Sequence, residues 1–225
     1  MPTRVTVTPS RFVGGVNYSV KRSSKYSHVI GKVSDTGRLI TMGDPLAVTR
    51  YVLVISRPDN SKYVRVMSRR KCLYGYDNIV EEYMKRPGEE AYKKISRLPV
   101  PIDILTEESD ILVKVELVVD WGTQNVNPET GMPVNLETLP MKFTIQEEMQ
   151  DLVVLGDIKY NGLPLDNNTD GLIQRNVLWE GGLARPRVHV FSRYDDGTET
   201  EVHYKIICGR FEATGFKRRL IQLYE

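Results

Sequence analysis

Short runs of β-branched and aromatic residues, separated by turn-forming residues, are the feature that most constrains the fold of this chain. In RYVLVISRPDNSKYVRVMSRR, two such runs flank the stretch Pro58-Asp59-Asn60-Ser61. Val64 and Val66 alternate there with Arg65, as in a strand that has one apolar face. Turn residues between two alternating runs are typical of an antiparallel hairpin. We therefore predict a hairpin over residues 49–69.

The stretch VHVFSRYDDGTETEVHYKIICGRF repeats this pattern around Asp195-Asp196-Gly197. It predicts a second hairpin over residues 187–212, with His189 and His203 on opposite arms, where a cross-strand pair can form. The stretches ILVKVELVVDW and KFTIQ supply further strands. The pattern thus favours antiparallel β-structure along most of the chain.

Residues 77–98 are the one stretch with helical character. Asp77 can cap a helix, acidic residues come early and basic ones late, and Pro87-Gly88 divides the stretch into two short helices. We therefore expect an α+β, β-rich fold: an antiparallel barrel or sandwich with one short helical segment at 77–98 and long loops or arms.

A chain of 225 residues can bury roughly 70% of the surface that its unfolded form exposes, so a sizeable core is expected. We predict a single β-rich domain over residues 1–225, with an extended arm at 122–140 and an irregular loop region at 156–187. The arm contains three prolines and has no periodicity. The sequence shows no internal repeat, heptad or low-complexity segment that would indicate a solenoid or a coiled coil.

The net charge of +2 conceals a polarised distribution. Residues 1–71 carry fourteen basic and three acidic side chains, residues 72–180 carry nine basic and twenty acidic ones, and residues 181–225 return to +2. A basic third can neutralise phosphates, or it can bind the acidic third of a neighbouring copy. The alternative is that folding interleaves the two signs on one surface.

Three basic clusters are the candidate contact residues for a protein interface or a nucleic acid: Lys21, Arg22, Lys25; Arg69, Arg70, Lys71; and Lys217, Arg218, Arg219. Tyrosines interleave with the N-terminal basic residues, and such a surface can bind single strands by stacking and phosphate contact. The sequence has no zinc finger, helix-turn-helix or RNA-recognition motif that would add support.

The stretch LDNNTDGLIQRNV begins like a calcium-binding loop, with Asp166, Asn168 and Asp170 at alternating positions before Gly171. Position twelve should be a bidentate Glu and is Val177, and no amphipathic helix precedes the loop. These residues are also those of ordinary tight turns. We expect a surface turn here, with Asp166, Asn168 and Asp170 as weak metal candidates, and we predict no cofactor.

No catalytic motif is present: the sequence lacks a nucleophile elbow, a zinc-protease helix, a phosphate loop and a dinucleotide fingerprint. Adjacent acidic pairs such as Glu107-Glu108 point to opposite faces of a strand and are expected in solvent. No catalytic residue is predicted, and we expect a protein that is not an enzyme.

The N-terminus has no apolar core of a signal peptide, so secretion by that route is not expected. Cys72 and Cys208 are too few for a disulfide framework, which favours a reducing compartment. The expected location is the virion if the protein is viral, and otherwise the cytoplasm. No membrane association is expected, since no apolar run approaches the ~20 residues of a membrane span.

The leading hypothesis is a non-enzymatic structural protein that works by assembling, as a subunit of a viral or phage particle such as a ring, connector, tail or capsid-associated component. Its expected partners are copies of itself in head-to-tail contact and other structural proteins. The alternative is a nucleic-acid-binding protein that uses the basic N-terminal third. A hydrolase with an unrecognised site is the third reading.

Overall fold

The computed structural model describes residues 4–118 and 139–220, and most of these residues lie in β-strands. Residues 122–138 of the predicted arm lie outside the described part of the chain. Within the described residues, short 3₁₀ turns occur at Arg22–Ser24 and Glu147–Met149. The described residues contain no helix with the length and apolar character that crossing a membrane requires.

The strands of the N-terminal part are β1 (Val5–Pro9), β2 (Gly15–Val20), β3 (Val33–Asp35), β4 (Arg38–Thr41), β5 (Ala47–Ser56), β6 (Lys62–Cys72), β7 (Gly75–Lys85) and β8 (Lys93–Lys94). Those that follow are β9 (Leu98–Asp103), β10 (Val113–Leu117), β11 (Met141–Ile145), β12 (Val153–Tyr160), β13 (Leu163–Asp166), β14 (Leu172–Glu180), β15 (Arg187–Tyr194), β16 (Thr198–Ile207) and β17 (Arg210–Leu220).

The contacts divide the chain into two compact units. The first consists of Met1–Ser96 with Asp195–Thr198 and Leu220–Glu225, and the second of Arg97–Tyr194 with Glu199–Arg219. The prediction of one domain over residues 1–225 stays a prediction.

The first unit contains a six-stranded antiparallel sheet in the order β1-β2-β5-β6-β7-β8 and the separate hairpin β3–β4. Val52, Val64 and Val66 are buried on one face of the sheet, and Val33 and Ile40 of the small hairpin pack against them. Burial of these apolar side chains is the main favourable contribution to the stability of the unit.

The second unit contains a six-stranded antiparallel sheet in the order β10-β11-β14-β15-β16-β17 and a three-stranded sheet in the order β13-β12-β9. Strand β9 pairs with β12 in parallel, whereas β12 pairs with β13 and β10, β11, β14, β15 and β16 pair in succession in antiparallel fashion. Phe143, Val177 and Val190 of the large sheet share one core with Leu155 and Ile158 of the small sheet, and all five are fully buried.

The two units repeat one arrangement of strands. The order β1-β2-β5-β6-β7-β8 in the first sheet becomes β10-β11-β14-β15-β16-β17 in the second, strand for strand in chain order. In each unit a small hairpin comes directly before the third strand of the large sheet, as β3–β4 and as β12–β13. Strand β9 is the only element of the second unit's sheets that has no described counterpart in the first.

The registers of the two sheets agree residue by residue. Tyr18 pairs with Val52, and 125 residues later Phe143 pairs with Val177. The bulges recur as well: both sheets shift register near the start of the central strand pair, after Ala47 in one and Leu172 in the other. Both small hairpins shift register at a corresponding residue, after Val33 and after Ile158.

The core positions correspond in the same way. The core cluster of the first unit has counterparts in that of the second: Val52 with Val177, Val64 with Val188, Val66 with Val190, Tyr83 with Tyr204, Tyr18 with Phe143, Ile30 with Leu155, Val33 with Ile158, Ile40 with Leu165, and Val54 with Trp179. Since five of these nine pairs are not identical, inspection of the sequence does not reveal the relation between the two units.

Each unit buries one arginine in an equivalent place. Arg50 and Arg175 are both 1% exposed, and each donates from Nε to the serine opposite it on the next strand, Ser68 at 3.0 Å and Ser192 at 2.9 Å. Each also donates from Nη1 to a glycine carbonyl nineteen residues earlier in the chain, Gly31 or Gly156. A buried guanidinium requires such partners. The arginine, the serine and the glycine therefore form a hydrogen-bonding arrangement that both units share.

The predicted helical segment at 77–98 is wrong. Residues 75–85 form β7, which pairs with β6 from Gly75 to Lys85, and Lys93–Lys94 form the short strand β8. Favourable charges at helix ends contribute only about 0.3–1 kcal/mol each. The ladder of β7 and the burial of Val80, Tyr83 and Met84 outweigh them.

The predicted irregular region at 156–187 is also wrong, because most of it is β12, β13 and β14. Its turn-forming residues lie in tight turns between these strands: Asn161 and Gly162 have φ of 50° and 77°, as Thr36 and Gly37 have 47° and 83° in the first unit. Two successive positive φ values are typical of a type I′ hairpin turn.

The predicted hairpins at 49–69 and 187–212 are confirmed as β5–β6 and β15–β16, the latter extended by β17. The β-rich, antiparallel character is confirmed too. None of the sheets formed by residues 4–118 and 139–220 closes into a barrel.

Candidate functional site

The outer face of the second unit's large sheet carries a histidine pair. Val188 and Val190 of β15 are fully buried, so the alternating His189 points to the opposite face. His189 lies directly opposite His203 of β16, and their ring centroids are 4.3 Å apart with an interplanar angle of 56°. The cross-strand pair that the sequence allowed is therefore formed, on a half-buried surface.

Two carboxylates contact this pair. Nε2 of His189 lies 3.1 Å from Oε1 of Glu180, and Nε2 of His203 lies 2.7 Å from Oε1 of Glu201. The other oxygen of Glu201 accepts a hydrogen bond from Nζ of Lys217 at 3.1 Å. The Lys217 ammonium, together with the hydrogen bond to His203, holds the pKa of Glu201 below its ordinary value. Glu201 is therefore anionic at neutral pH.

His189, Glu201 and His203 can each offer one ligand atom, and these three atoms lie within 4.8 Å of one another. In the part of the chain that the structure describes, no other group of three His, Cys, Asp or Glu meets this criterion. Imidazole and carboxylate together suit zinc and neighbouring divalent transition metals. These residues are the candidate metal ligands of the molecule.

The same two positions in the first unit carry a different pair. By register, His189 corresponds to Arg65 and His203 to Glu82, whose guanidinium and carboxylate form a salt bridge of 3.2 Å. The Tyr63 hydroxyl contacts Glu82 and accepts a hydrogen bond from Arg65, and burial raises the pKa of Tyr63. The first unit thus has a closed, buried ion pair where the second has a half-exposed histidine pair.

A polar cleft of about 500 Å³ adjoins the histidine pair on the same face. Glu199, which is 7% exposed, lies between two arginines, with its carboxylate bound to Arg193 and to Arg219 Nε at 2.6 Å. Phe191 also lines the cleft and is 38% exposed. The charged groups that line the cleft are paired with one another, and the other lining groups are uncharged.

The C-terminal basic cluster therefore has local partners. Lys217 and Arg219 on β17 bind Glu201 and Glu199 of β16, and Arg218 between them is exposed. Exposed pairs of this kind contribute only about 0–1 kcal/mol each. Their positive charge is partly neutralised by the neighbouring strand, which makes this cluster a weaker anion-binding candidate than the sequence suggested.

The cluster Arg69, Arg70 and Lys71 lies at the distal end of β6. Arg70 binds Asp44 through Nε at 2.5 Å, and the guanidinium of Arg69 lies 4.4 Å from the ring centre of Tyr76. Lys71 is exposed, and it adjoins Leu73 and Tyr74 in the turn, which are 94% and 99% exposed. The structure thus divides this cluster into two residues with structural partners and one at an apolar hairpin tip.

The N-terminal cluster lies around a short 3₁₀ turn. Lys21, Arg22 and Lys25 are all exposed around the 3₁₀ turn at Arg22–Ser24. Lys25 Nζ lies 4.8 Å from the ring centre of Tyr26, which is 91% exposed. These three side chains are available to an external partner.

The loop that resembles a calcium site is engaged by Arg175. Nη2 of Arg175 donates to Oδ1 of Asp166 at 3.0 Å and to the carbonyl of Asn168 at 2.7 Å. Oδ1 of Asp166 also accepts from the backbone N–H of Asn168, which closes an Asx turn. The positive partner of Asp166 is thus a buried guanidinium, and Asp170 is exposed beside it.

Sequence reasoning missed Arg50, Arg175 and Glu199. The available signal was an arginine within an otherwise apolar strand run, in TRYVLVIS and in QRNVLW, because a charge at such a position is buried with partners.

No family model, no curated protein and no solved structure matches this chain.

Proposed function

We propose that the protein is a non-enzymatic structural subunit that assembles with copies of itself through head-to-tail contacts. The observation that carries the proposal is that two copies of one β-fold in the same chain have opposite charge. Residues 1–96, which form most of the first unit, carry eighteen basic and eight acidic side chains, a balance of +10, and residues 97–225 carry thirteen basic and twenty-one acidic ones, a balance of −8. Counted over the units themselves, which assign Asp195, Asp196 and Glu225 to the first, the balances are +7 and −5.

Opposite charge favours contact between the first unit of one chain and the second unit of another. Contacts between two first units or two second units juxtapose like charges and are disfavoured. Contact between the first unit of one chain and the second unit of another uses two different surfaces. It therefore leaves one surface of each kind open on every complex. Repeated contacts of this type close into rings or extend into filaments.

Apolar surface for the contact is present at the β6–β7 tip and along β17. Leu73 and Tyr74 are almost fully exposed at the tip, and Phe216 is 64% exposed on β17. Strand β17 has eleven residues and lies at the edge of its sheet, with β16 as its neighbour. An open edge strand presents unpaired backbone groups to which a strand of another chain can add.

Light scattering coupled to size-exclusion chromatography tests the proposal over a series of protein and salt concentrations. We expect a mass above that of the 25.7 kDa chain at low salt, and a shift toward the monomer as salt screens the charges. A monomer at all protein concentrations in low salt would overturn it. The proposal includes that the assembly is part of a viral or phage particle, and electron microscopy of the assembled species tests this part.

A nucleic-acid-binding function is the second candidate, and it is favoured by Lys21, Arg22 and Lys25 beside the exposed ring of Tyr26. Such a surface binds single strands by phosphate contact and stacking. Fluorescence anisotropy with a labelled single-stranded oligonucleotide distinguishes it, because binding must weaken steeply as salt rises. Salt-sensitive binding by a monomeric protein would favour this function over assembly.

A further inference from the structure

We propose that His189, His203 and Glu201 form a binding site for a divalent transition-metal ion of the zinc class. The three side chains come from adjacent strands of one antiparallel sheet and have ligand atoms within 4.8 Å of one another. Two imidazoles and one carboxylate are a common set of three protein ligands for zinc, with a fourth position left to water or another group.

The position of each donor follows from the strand ladder. His189 and His203 are paired across β15 and β16, and Glu201 lies two residues before His203 on the same face. These strands are held between β14 and β17 in a six-stranded sheet, so the backbone beneath the donors is fixed on both sides. Donors fixed in this way lose little conformational freedom when an ion binds.

The surrounding charges fit a bound cation. The two oxygens of the Glu201 carboxylate have different neighbours: Oε2 binds Lys217, whereas Oε1 faces His203 Nε2. Glu180 Oε1 lies 3.1 Å from His189 Nε2 and can serve as a fourth ligand. Nε2 of each histidine thus faces a carboxylate oxygen that a metal ion would share with it.

The ring of His203 also has room on one flank. A β-carbon added at Gly215 of β17 would lie 3.5 Å from Cβ and Cγ of His203, so any larger side chain there would cover the imidazole. The half-buried state of all three ligands leaves the ion partly shielded from water and still accessible.

Comparison with the first unit gives a reason for the histidines. The equivalent positions there are joined by the Arg65–Glu82 salt bridge, which links β6 to β7 without an external ion. The second unit has two imidazoles at these positions, and a cation between them supplies the cross-strand link that the arginine supplies in the first unit. We therefore expect the metal to stabilise the β15–β16 pair.

Isothermal titration of the metal-free full-length chain with ZnCl₂ tests the site. We expect one Zn²⁺ per chain and a Tm that rises by roughly 5–10 °C at about 100 times Kd. His189→Ala and His203→Ala should each weaken binding at least tenfold, on the order expected for loss of a ligand, and Glu201→Gln should weaken it by about tenfold.

The chain offers two matched controls. His28→Ala removes the third histidine, whose Nδ1 contacts Ser27, and Cys208→Ser removes an exposed thiol that could bind zinc independently. Neither should alter the affinity. If His189→Ala or His203→Ala fails to fold, the His→Gln variants replace them, and histidine NMR signals of the wild type must shift for His189 and His203 on adding Zn²⁺.

Three results would overturn the site. These are titration without saturable binding, binding that survives in the double variant His189→Gln/His203→Gln, and binding that is lost in His28→Ala or Cys208→Ser. Tetrahedral Co²⁺ absorption that appears in the wild type and disappears in the double variant would support it.

Discussion

At the scale of single residues, the two buried arginines are the strongest constraint on the fold. Arg50 and Arg175 each bind a serine across the ladder and the carbonyl of an upstream glycine, and Arg175 is further paired with Asp166 at 3.0 Å. A buried charge without partners is costly, whereas one that is fully hydrogen-bonded specifies a single arrangement of the groups around it. These bonds link the strand that bears the arginine to the segment that precedes β3 in the first unit and to β12 in the second.

We predict that Arg175→Met lowers the free energy of unfolding by about 3–5 kcal/mol, because it leaves the carboxylate of Asp166 and the Gly156 carbonyl without their partner. Equilibrium unfolding in urea measures the change. The control is Arg187→Met on β15, an exposed position where a change within about 0.5 kcal/mol is expected. Equal stability of the two variants would show that the buried arginine contributes no net stability.

Asp35 supplies the second prediction at this scale. Its carboxylate accepts hydrogen bonds from Lys62 Nζ at 2.8 Å and Tyr92 OH at 2.9 Å, and the Lys62 hydrogen bond holds the pKa of Asp35 below its ordinary value. A carboxylate with a lowered folded-state pKa contributes stability that is present above its unfolded-state pKa and is lost as pH falls through the folded-state value. Asp35→Asn should therefore be less stable than the wild type at pH 7.

The difference in the free energy of unfolding between the wild type and Asp35→Asn should shrink as the pH falls below about 4, near the unfolded-state pKa of aspartate. Urea midpoints at neutral and at acid pH provide the measurement. A difference of constant size across this range would mean that the Asp35 carboxylate has the same pKa in the folded and the unfolded chain.

At the scale of elements, the hairpins were predictable because their signals are local. Pro58-Asp59-Asn60-Ser61 and Asp195-Asp196-Gly197 supply turn chemistry between alternating runs, and β5–β6 and β15–β16 follow from it. Strand β7 was not predictable in this way, since its charges resemble those of a helix and its ladder with β6 decides the outcome. Among the site residues, the His189–His203 pair was predictable from the hairpin, whereas Glu180 depends on a third strand.

The tip of the β6–β7 hairpin carries the prediction at this scale. Because Leu73 and Tyr74 are 94% and 99% exposed, Leu73→Ser/Tyr74→Ser should change the free energy of unfolding by less than about 0.5 kcal/mol. If the tip contacts another copy, the same double variant should weaken self-association measured by sedimentation velocity. Val13→Ser, at a residue that is 95% exposed in the β1–β2 connection, is the control and should associate like the wild type.

At the scale of the whole molecule, the internal repeat could not be read from the sequence because the two copies share positions more than residue types. Tyr18 corresponds to Phe143 and Ile30 to Leu155, and exchanges between apolar side chains of similar volume preserve a core while they erase identity. The charge polarity, in contrast, was evident from the sequence, and the boundary between the two units gives it a structural meaning.

This polarity gives the last prediction, a comparison of two triple charge reversals. Arg69 and Arg70 are unsuitable positions, because Arg70 binds Asp44 and its reversal would place two carboxylates together in the monomer. Lys21→Glu/Arg22→Glu/Lys25→Glu acts on exposed side chains and lowers the balance of residues 1–96 from +10 to +4. Arg187→Glu/Lys205→Glu/Arg210→Glu also acts on exposed side chains and changes residues 97–225 from −8 to −14.

Both variants add the same negative charge to the chain, so an effect of net charge alone would change their association equally. Head-to-tail contact between the basic and the acidic unit predicts opposite results at low salt: the first variant should dissociate and the second should associate at least as strongly as the wild type. High salt should reduce the difference between them, because it screens the attraction that distinguishes them. Light scattering measures the masses of the wild type and of the two variants. Equal association of the two variants would exclude charge complementarity between the units as the basis of assembly.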